Sequence, residues 1–199
     1  MMNQLTNAQL LIVLMGKKGE SLTKHSLAEL FGLKMMRQAV NRVAEDIVAY
    51  AVPDKLLAAR ELLKRALKEE MGDASISLSK PENVKDYLRL MLGGCQEERF
   101  VALWLDTQNR LIAGMELFRG TLGQTSVYPR EVVKIGLQLN AGSVIFAHNH
   151  PSGMSEPSSA DTHLTGQLKK ALSLVDIRVL DHMIVGDESV MSFAERGLI

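Results

Sequence analysis

The sequence has little of what usually assigns a function from composition alone. A single cysteine, Cys95, among 199 residues excludes an intrachain disulfide and fits a reducing cytoplasm. Neither charge is in surplus: 23 Lys and Arg balance 23 Asp and Glu, which removes any global electrostatic case for nucleic acid or an anionic membrane. Residues 1–72 carry 11 basic and 8 acidic side chains, a difference too small to make a basic patch. Long apolar runs are missing too. Leu10 to Met15 is too short to cross a bilayer and has no basic segment ahead of it, so it reads as neither a membrane helix nor a signal peptide. A cytoplasmic protein without membrane association is the expectation. No internal repeat or low-complexity tract is visible. What is present, 46% hydrophobic and 23% charged residues, suffices for a substantial core in one or two small domains.

The spacing divides the chain. Thr6-Asn7-Ala8-Gln9 has the form of a capping box ahead of Leu10, Leu11, Leu14 and Met15, with Gly16 as the stop. Further helices are predicted over 23–31, 34–50 and 54–70, the last ending near Gly72, so that residues 1–72 form a small all-helical domain. The serine-rich stretch 73–80 is the candidate linker, and 81–199 the second domain. Pro81 opens a helix that Gly93-Gly94 closes. Beyond it the period changes. Residues 100–105 and 111–118 read as a hairpin, 129–139 as a helix, 143–148 as a strand, 159–174 as a helix, and 177–185 and 190–193 as strands. The fold class predicted is α/β (α+β), a mixed sheet covered by helices and preceded by the helical domain.

The chemistry concentrates in His148-Asn149-His150-Pro151-Ser152-Gly153 and in Asp161, after Ser158. Strand alternation puts His148 and His150 on one face, where both imidazoles can approach one ion. Pro151 to Gly153 turns the chain, and the ten residues between His150 and Asp161 allow a loop to bring a carboxylate back from the next helix. Three such ligands leave one position for water, and Zn2+ is the expected metal. Asp161 has a second reading, because Ser158-Ser159-Ala160-Asp161 also has the form of a helix start. Both roles can coexist. The helix-borne His-Glu-x-x-His of other zinc proteases is missing.

These residues resemble the JAMM or MPN metalloprotease family, whose signature is an upstream glutamate, His-x-His, ten residues, then Asp, with a serine three residues before that Asp. Together with Glu116-Leu117-Phe118-Arg119-Gly120-Thr121, residues 127–133 and residues 175–182, the text is similar to the RadC branch, from about residue 78 to the end. The resemblance implies a zinc metallopeptidase or isopeptidase with a protein or peptide substrate. It implies Glu116 as general base for a water activated by zinc, and Ser158 as a donor to the developing oxyanion.

The residues alone leave alternatives. Glu116 also reads as a solvent-facing strand residue, with Met115, Leu117 and Phe118 able to desolvate it. Glu131 is its rival as base, though its place after Pro129 suits a first-turn dipole partner. Asp181 and His182, in an apolar strand, read either as groups that orient a zinc ligand or as a structural pair. Asn149 should bind backbone, His25 and His163 should lie on the surface, and Trp104 belongs to the core. RadC-like proteins are also associated with DNA repair or recombination through a helix-hairpin-helix with two glycines. The corresponding residues 50–55 contain neither glycine, so weak DNA contact at most is expected.

Overall fold

The computed structural model describes residues 5–24, 26–31, 53–72, 81–120 and 127–199. In the N-terminal part, α1 (Asn7–Met15) begins at Thr6, whose side chain accepts from the Gln9 amide while the Gln9 side chain accepts from the Thr6 amide. It ends at Gly16, at φ 66°. α2 (Lys18–Leu22) is unexpected, and the helix expected over 23–31 is confined, among the described residues, to α3 (Leu27–Leu30). Thr23 closes α2 by turning its hydroxyl onto the Glu20 carbonyl, a local bond that competes with helix propagation. The helix expected over 34–50, His25 and the linker 73–80 lie outside the described residues.

α4 (Asp54–Gly72) touches both parts of the chain. Leu56 is buried with Leu11, Leu22 and Leu30, whereas Leu67 packs against the core of α5 (Pro81–Leu92). Arg60 fixes this contact: its guanidinium donates to the Leu90 carbonyl at 2.6 and 2.9 Å and to the Gly93 carbonyl at 2.9 Å, supplying partners to the open C-terminal end of α5.

The remainder is one five-stranded sheet in the order β2-β1-β3-β4-β5, formed by β1 (Arg99–Leu105), β2 (Leu111–Arg119), β3 (Ser143–Asn149), β4 (Arg178–Val185) and β5 (Val190–Ser192). The expected hairpin joins β1 to β2. Asp106 closes it by accepting from the amides of Gln108 and Arg110 at 2.8 and 2.9 Å. β3 and β4 are parallel and the other pairs antiparallel, so the chain must cross over between β3 and β4, and α7 (Ser159–Ser173) makes that crossing. The class is the mixed α/β arrangement expected.

β1 and β3 are buried on both faces, which explains their unbroken apolar runs. One face carries Val101, Leu103, Leu105, Ile145 and Ala147 against Val84, Tyr87 and Leu88 of α5. The other carries Phe100, Ala102, Trp104, Val144 and Phe146 against Val132 of α6 (Pro129–Gln138) and Leu168 and Leu172 of α7. Gly136 lets α6 close on this second face, since a Cβ there would lie 2.7 Å from Ile177 and 2.8 Å from Trp104. His148 extends the second face, two residues beyond Phe146, at the end of the sheet where polar groups begin.

Candidate metal centre

Two elements and a turn assemble the centre. His148 is buried near the end of β3, its ring stacked on Phe100 at 6.1 Å and 15°. His150 follows the strand, its amide donating to the Val185 carbonyl at 3.1 Å. The turn after it closes when the Gly153 amide donates to the His150 carbonyl at 2.9 Å. Gly153 holds φ 81° with the Asp187 carboxylate 2.7 Å from the place of a Cβ, so glycine alone fits. This turn lays the Met154 carbonyl 2.8 Å from His150 Nδ1. A carbonyl only accepts, so the ring proton of neutral His150 sits on Nδ1 and Nε2 is a bare lone pair.

Asp161 arrives from the first turn of α7. Ser158 caps that helix, its Oγ accepting from the Asp161 amide at 3.1 Å, while Asp161 Oδ2 accepts from the Ser158 amide at 2.7 Å and from its hydroxyl at 2.6 Å. The same carboxylate meets both imidazoles. Asp161 Oδ1 lies 3.2 Å from His148 Nε2 and Oδ2 lies 3.5 Å from His150 Nε2, with the two Nε2 atoms 3.0 Å apart. Donors held about 2.0–2.1 Å from one tetrahedral ion stand about 3.3 Å from each other. The three side chains therefore fit zinc in both donor type and spacing, and they are the one such group among the described residues.

The close approach of the three groups shifts the pKa of two of them. Burial alone would raise the Asp161 pKa, but the adjacent His148 and His150 rings and the Ser158 hydroxyl outweigh it and hold the carboxylate well below its usual range. His150 is raised, first by its hydrogen bond to Asp161 against the opposing effect of burial, and further by the Met154 carbonyl and the charges of Asp161 and Glu98.

The structure does not bring Glu116 to this group. A bulge in β2 pairs Phe118 with Phe100 but Glu116 with Val101, and cross-strand partners share a face. Glu116 thereby stands on the α5 side, opposite the layer that holds Phe100 and His148. Nor do apolar neighbours desolvate it: its carboxylate lies 2.9 Å from Arg119 Nε and 3.6 Å from the Arg99 guanidinium. Glu131 is exposed in the first turn of α6, 3.6 Å from Arg130. Ser158 commits its one hydroxyl proton to Asp161 Oδ2.

The Asp181-His182 pair divides between the two faces. Asp181 accepts from the Ser192 hydroxyl and from the amides of His182 and Ala194, tying down the C-terminal segment. His182 Nε2 instead faces His148 Nδ1 at 2.9 Å. Asn149 points away from the ligands and spans backbone as expected, accepting from the Arg99 amide and donating to the carbonyls of Cys95 and Glu97. His163 is exposed beside Gln167, and Trp104 is fully buried.

A scan against protein families matches residues 78–198 to the RadC-like JAB domain. The chain belongs to the RadC-like JAB-domain family. It is 48% identical over 202 aligned positions to a UPF0758 protein of Leptothrix cholodnii, covering 98% of this chain and 90% of that one. A UPF0758 protein of Janthinobacterium sp. (strain Marseille) is 60% identical over 143 residues, and one of Nitrosomonas eutropha 56% over 145. In these two matches the alignment spans 63% and 64% of the relative's length. No described helix of this RadC-like chain is long and apolar enough to cross a membrane.

Two residues near the centre escape a linear reading of the RadC-like sequence. Thr165, four residues after Asp161 on the same helix face, puts its hydroxyl 2.6 Å from His182 Nδ1. Glu98, two residues before Phe100, is on the His148 side by strand alternation, and its charge reaches His150. The i to i+4 spacing within 159–173 could have flagged the first. A count of alternating positions back from Phe100 could have flagged the second.

Proposed function

We propose that the protein is a zinc-dependent hydrolase of peptide or isopeptide bonds, acting on a protein or peptide substrate, with His148, His150 and Asp161 as the ligands. The observation that carries this reading is the convergence of two imidazole Nε2 atoms and a carboxylate at 3.0 to 3.5 Å, the donor types and spacing that a tetrahedral zinc takes. Zinc bound by three protein ligands supplies Lewis acidity, polarising a carbonyl and lowering the pKa of water toward about 7. The chain's own residues do the rest. His148 and His150 present lone pairs, Asp161 offsets one positive charge, and a nearby carboxylate takes a proton from the attacking water and returns it to the leaving amine. Ser158 can serve the oxyanion by turning its hydroxyl away from Asp161.

Glu116 is the base that the family resemblance supplies, and to act it must leave Arg119 and Arg99 and reach the face of His148. Glu98 is the second reading, favoured by its position on the face of the ligands. Metal analysis of purified protein is the first test: about one zinc per chain is expected, and a folded His148→Ala, His150→Ala variant that keeps it would remove the proposal. On a peptide substrate found by comparing digests, loss of general-base assistance should cost about 100- to 10,000-fold at equal zinc occupancy. A defect of that size in Glu116→Gln supports the resemblance. A Glu116→Gln enzyme as fast as the parent transfers the role to Glu98, to be checked with Glu98→Gln. The alternative, a DNA-repair or recombination accessory factor, requires tight DNA binding. Weak, salt-sensitive binding is expected, and nanomolar affinity at physiological salt would revive that role.

A further inference from the structure

The polar chain behind His148 has only one arrangement of protons that satisfies every contact. Thr165 Oγ1 lies 2.6 Å from the Asp161 backbone carbonyl and 2.6 Å from His182 Nδ1. A carbonyl cannot donate, so the single hydroxyl proton of Thr165 points to Asp161, the usual back-bond of a helical threonine. Its oxygen is then an acceptor, and His182 Nδ1 must carry the ring proton. His182 is fully buried, packed against Phe193 at 5.0 Å and edge-on to Phe100 at 5.4 Å. The ring's polar contacts are the Thr165 hydroxyl and His148, among the rings of Phe100, Phe146 and Phe193, so a second ring proton would be a buried charge with no carboxylate in contact, and His182 carries one only. Its Nε2 is therefore an acceptor, 2.9 Å from His148 Nδ1, which has to donate. That leaves His148 Nε2 without a proton, directed at His150 Nε2 and Asp161.

We infer that Thr165 and His182 are positioning residues that set the ring tautomer of His148, so that its Nε2 is presented as a lone pair to the ion. The relay begins on the backbone of one ligand, Asp161, and ends on the ring of another, His148, coupling the first turn of α7 to the end of β3. It explains why a buried histidine and a buried threonine occur in a layer otherwise filled by Phe100, Phe146 and Leu168. Without the relay, neutral His148 could place its proton on Nε2, and the site would have to move it before binding metal. The inference rests on the metal-centre reading for its consequence, but the tautomer itself can be observed in metal-free protein.

The test uses nitrogen-15 NMR of the imidazoles in the full chain, with zinc affinity measured by chelator competition. In the metal-free parent, His182 and His148 should both show the Nδ1–H tautomer; an Nε2–H pattern on His182 overturns the relay without any variant. Thr165→Val, which keeps shape but removes the acceptor, should shift His182 toward Nε2–H and weaken zinc binding about 10- to 100-fold. Thr165→Ser should restore both. A folded Thr165→Val protein with the parent's tautomers or the parent's zinc affinity would refute the role. If the parent binds no zinc at all, the metal-centre reading fails, whereas the NMR pattern still decides the relay.

Discussion

The two faces of the sheet both bury polar side chains, but they end them differently. On the α5 side, Asn149 bridges three backbone groups and Asp181 accepts from a hydroxyl and two amides. Every bond there closes on the protein's own scaffold. On the α7 side, Thr165, His182 and His148 hand their contacts on from side chain to side chain, and the chain stops at lone pairs facing His150 and Asp161. Buried acceptors without donors cost free energy, so a fold that collects them in one place is adapted to an additional positive charge. Satisfied polar groups indicate architecture; surplus acceptors indicate a site.

That contrast can be broken from either side. The largest effect should come from the ligands: Asp161→Ala should abolish stoichiometric zinc binding, measured by metal analysis after dialysis, while the sheet stays folded. Asn149→Ala, next in the chain to both histidines but on the other face, should do the reverse. It removes bonds to the Arg99 amide and to the Cys95 and Glu97 carbonyls, and should cost about 2–4 kcal/mol in chemical unfolding, with zinc stoichiometry retained. An Asn149→Ala protein of full stability that lost its zinc would erase the distinction between the faces.

Acidity should sharpen it. The raised His150 pKa means that, without metal, its contribution to stability is complete below the unfolded value of 6.5 and is lost as pH rises through the folded value. The lowered Asp161 pKa contributes above the unfolded value of 3.8 and is lost only as pH falls through a much lower one. Zinc reverses the first trend, because it must displace the His150 proton. Apparent zinc affinity should fall about tenfold for each unit of pH below the His150 value, read by titration with a competing chelator. The smallest effect belongs to Arg60→Ala. Losing its bonds to the Leu90 and Gly93 carbonyls should cost about 1–2 kcal/mol in thermal unfolding and leave zinc affinity unchanged.

Much of the site follows from local rules. The alternation of His148 and His150 beyond a buried strand, the turn at Gly153, and the cap formed by Ser158 and Asp161 each depend on a few consecutive residues, and such patterns are legible without a fold. The helix at 54–72 and the hairpin around Asp106 are legible for the same reason. Which face Glu116 occupies is different. Alternation sets it opposite Met115, but that Met115 shares the layer of Phe100 and His148 follows only from how β1 pairs with β2 and β3. The end of α2 at Leu22, ahead of the short α3, turns on a side-chain bond that competes with the backbone ladder.

By itself, then, the sequence determined the local presentation of His148, His150 and Asp161, the three residues of the candidate centre, because period-two alternation and helix capping act over a handful of positions. Only the tertiary structure decided what stands behind and beside them. His182 reaches His148 across a parallel β3–β4 pairing that requires the α7 crossover, and Thr165 reaches His182 because that same helix packs back on the sheet. Glu116 stands on the face opposite His148, and Glu98 on the His148 side, through cross-strand register. Contacts of this kind join residues far apart in the chain, where neither spacing nor propensity carries information and only the packed core fixes who meets whom.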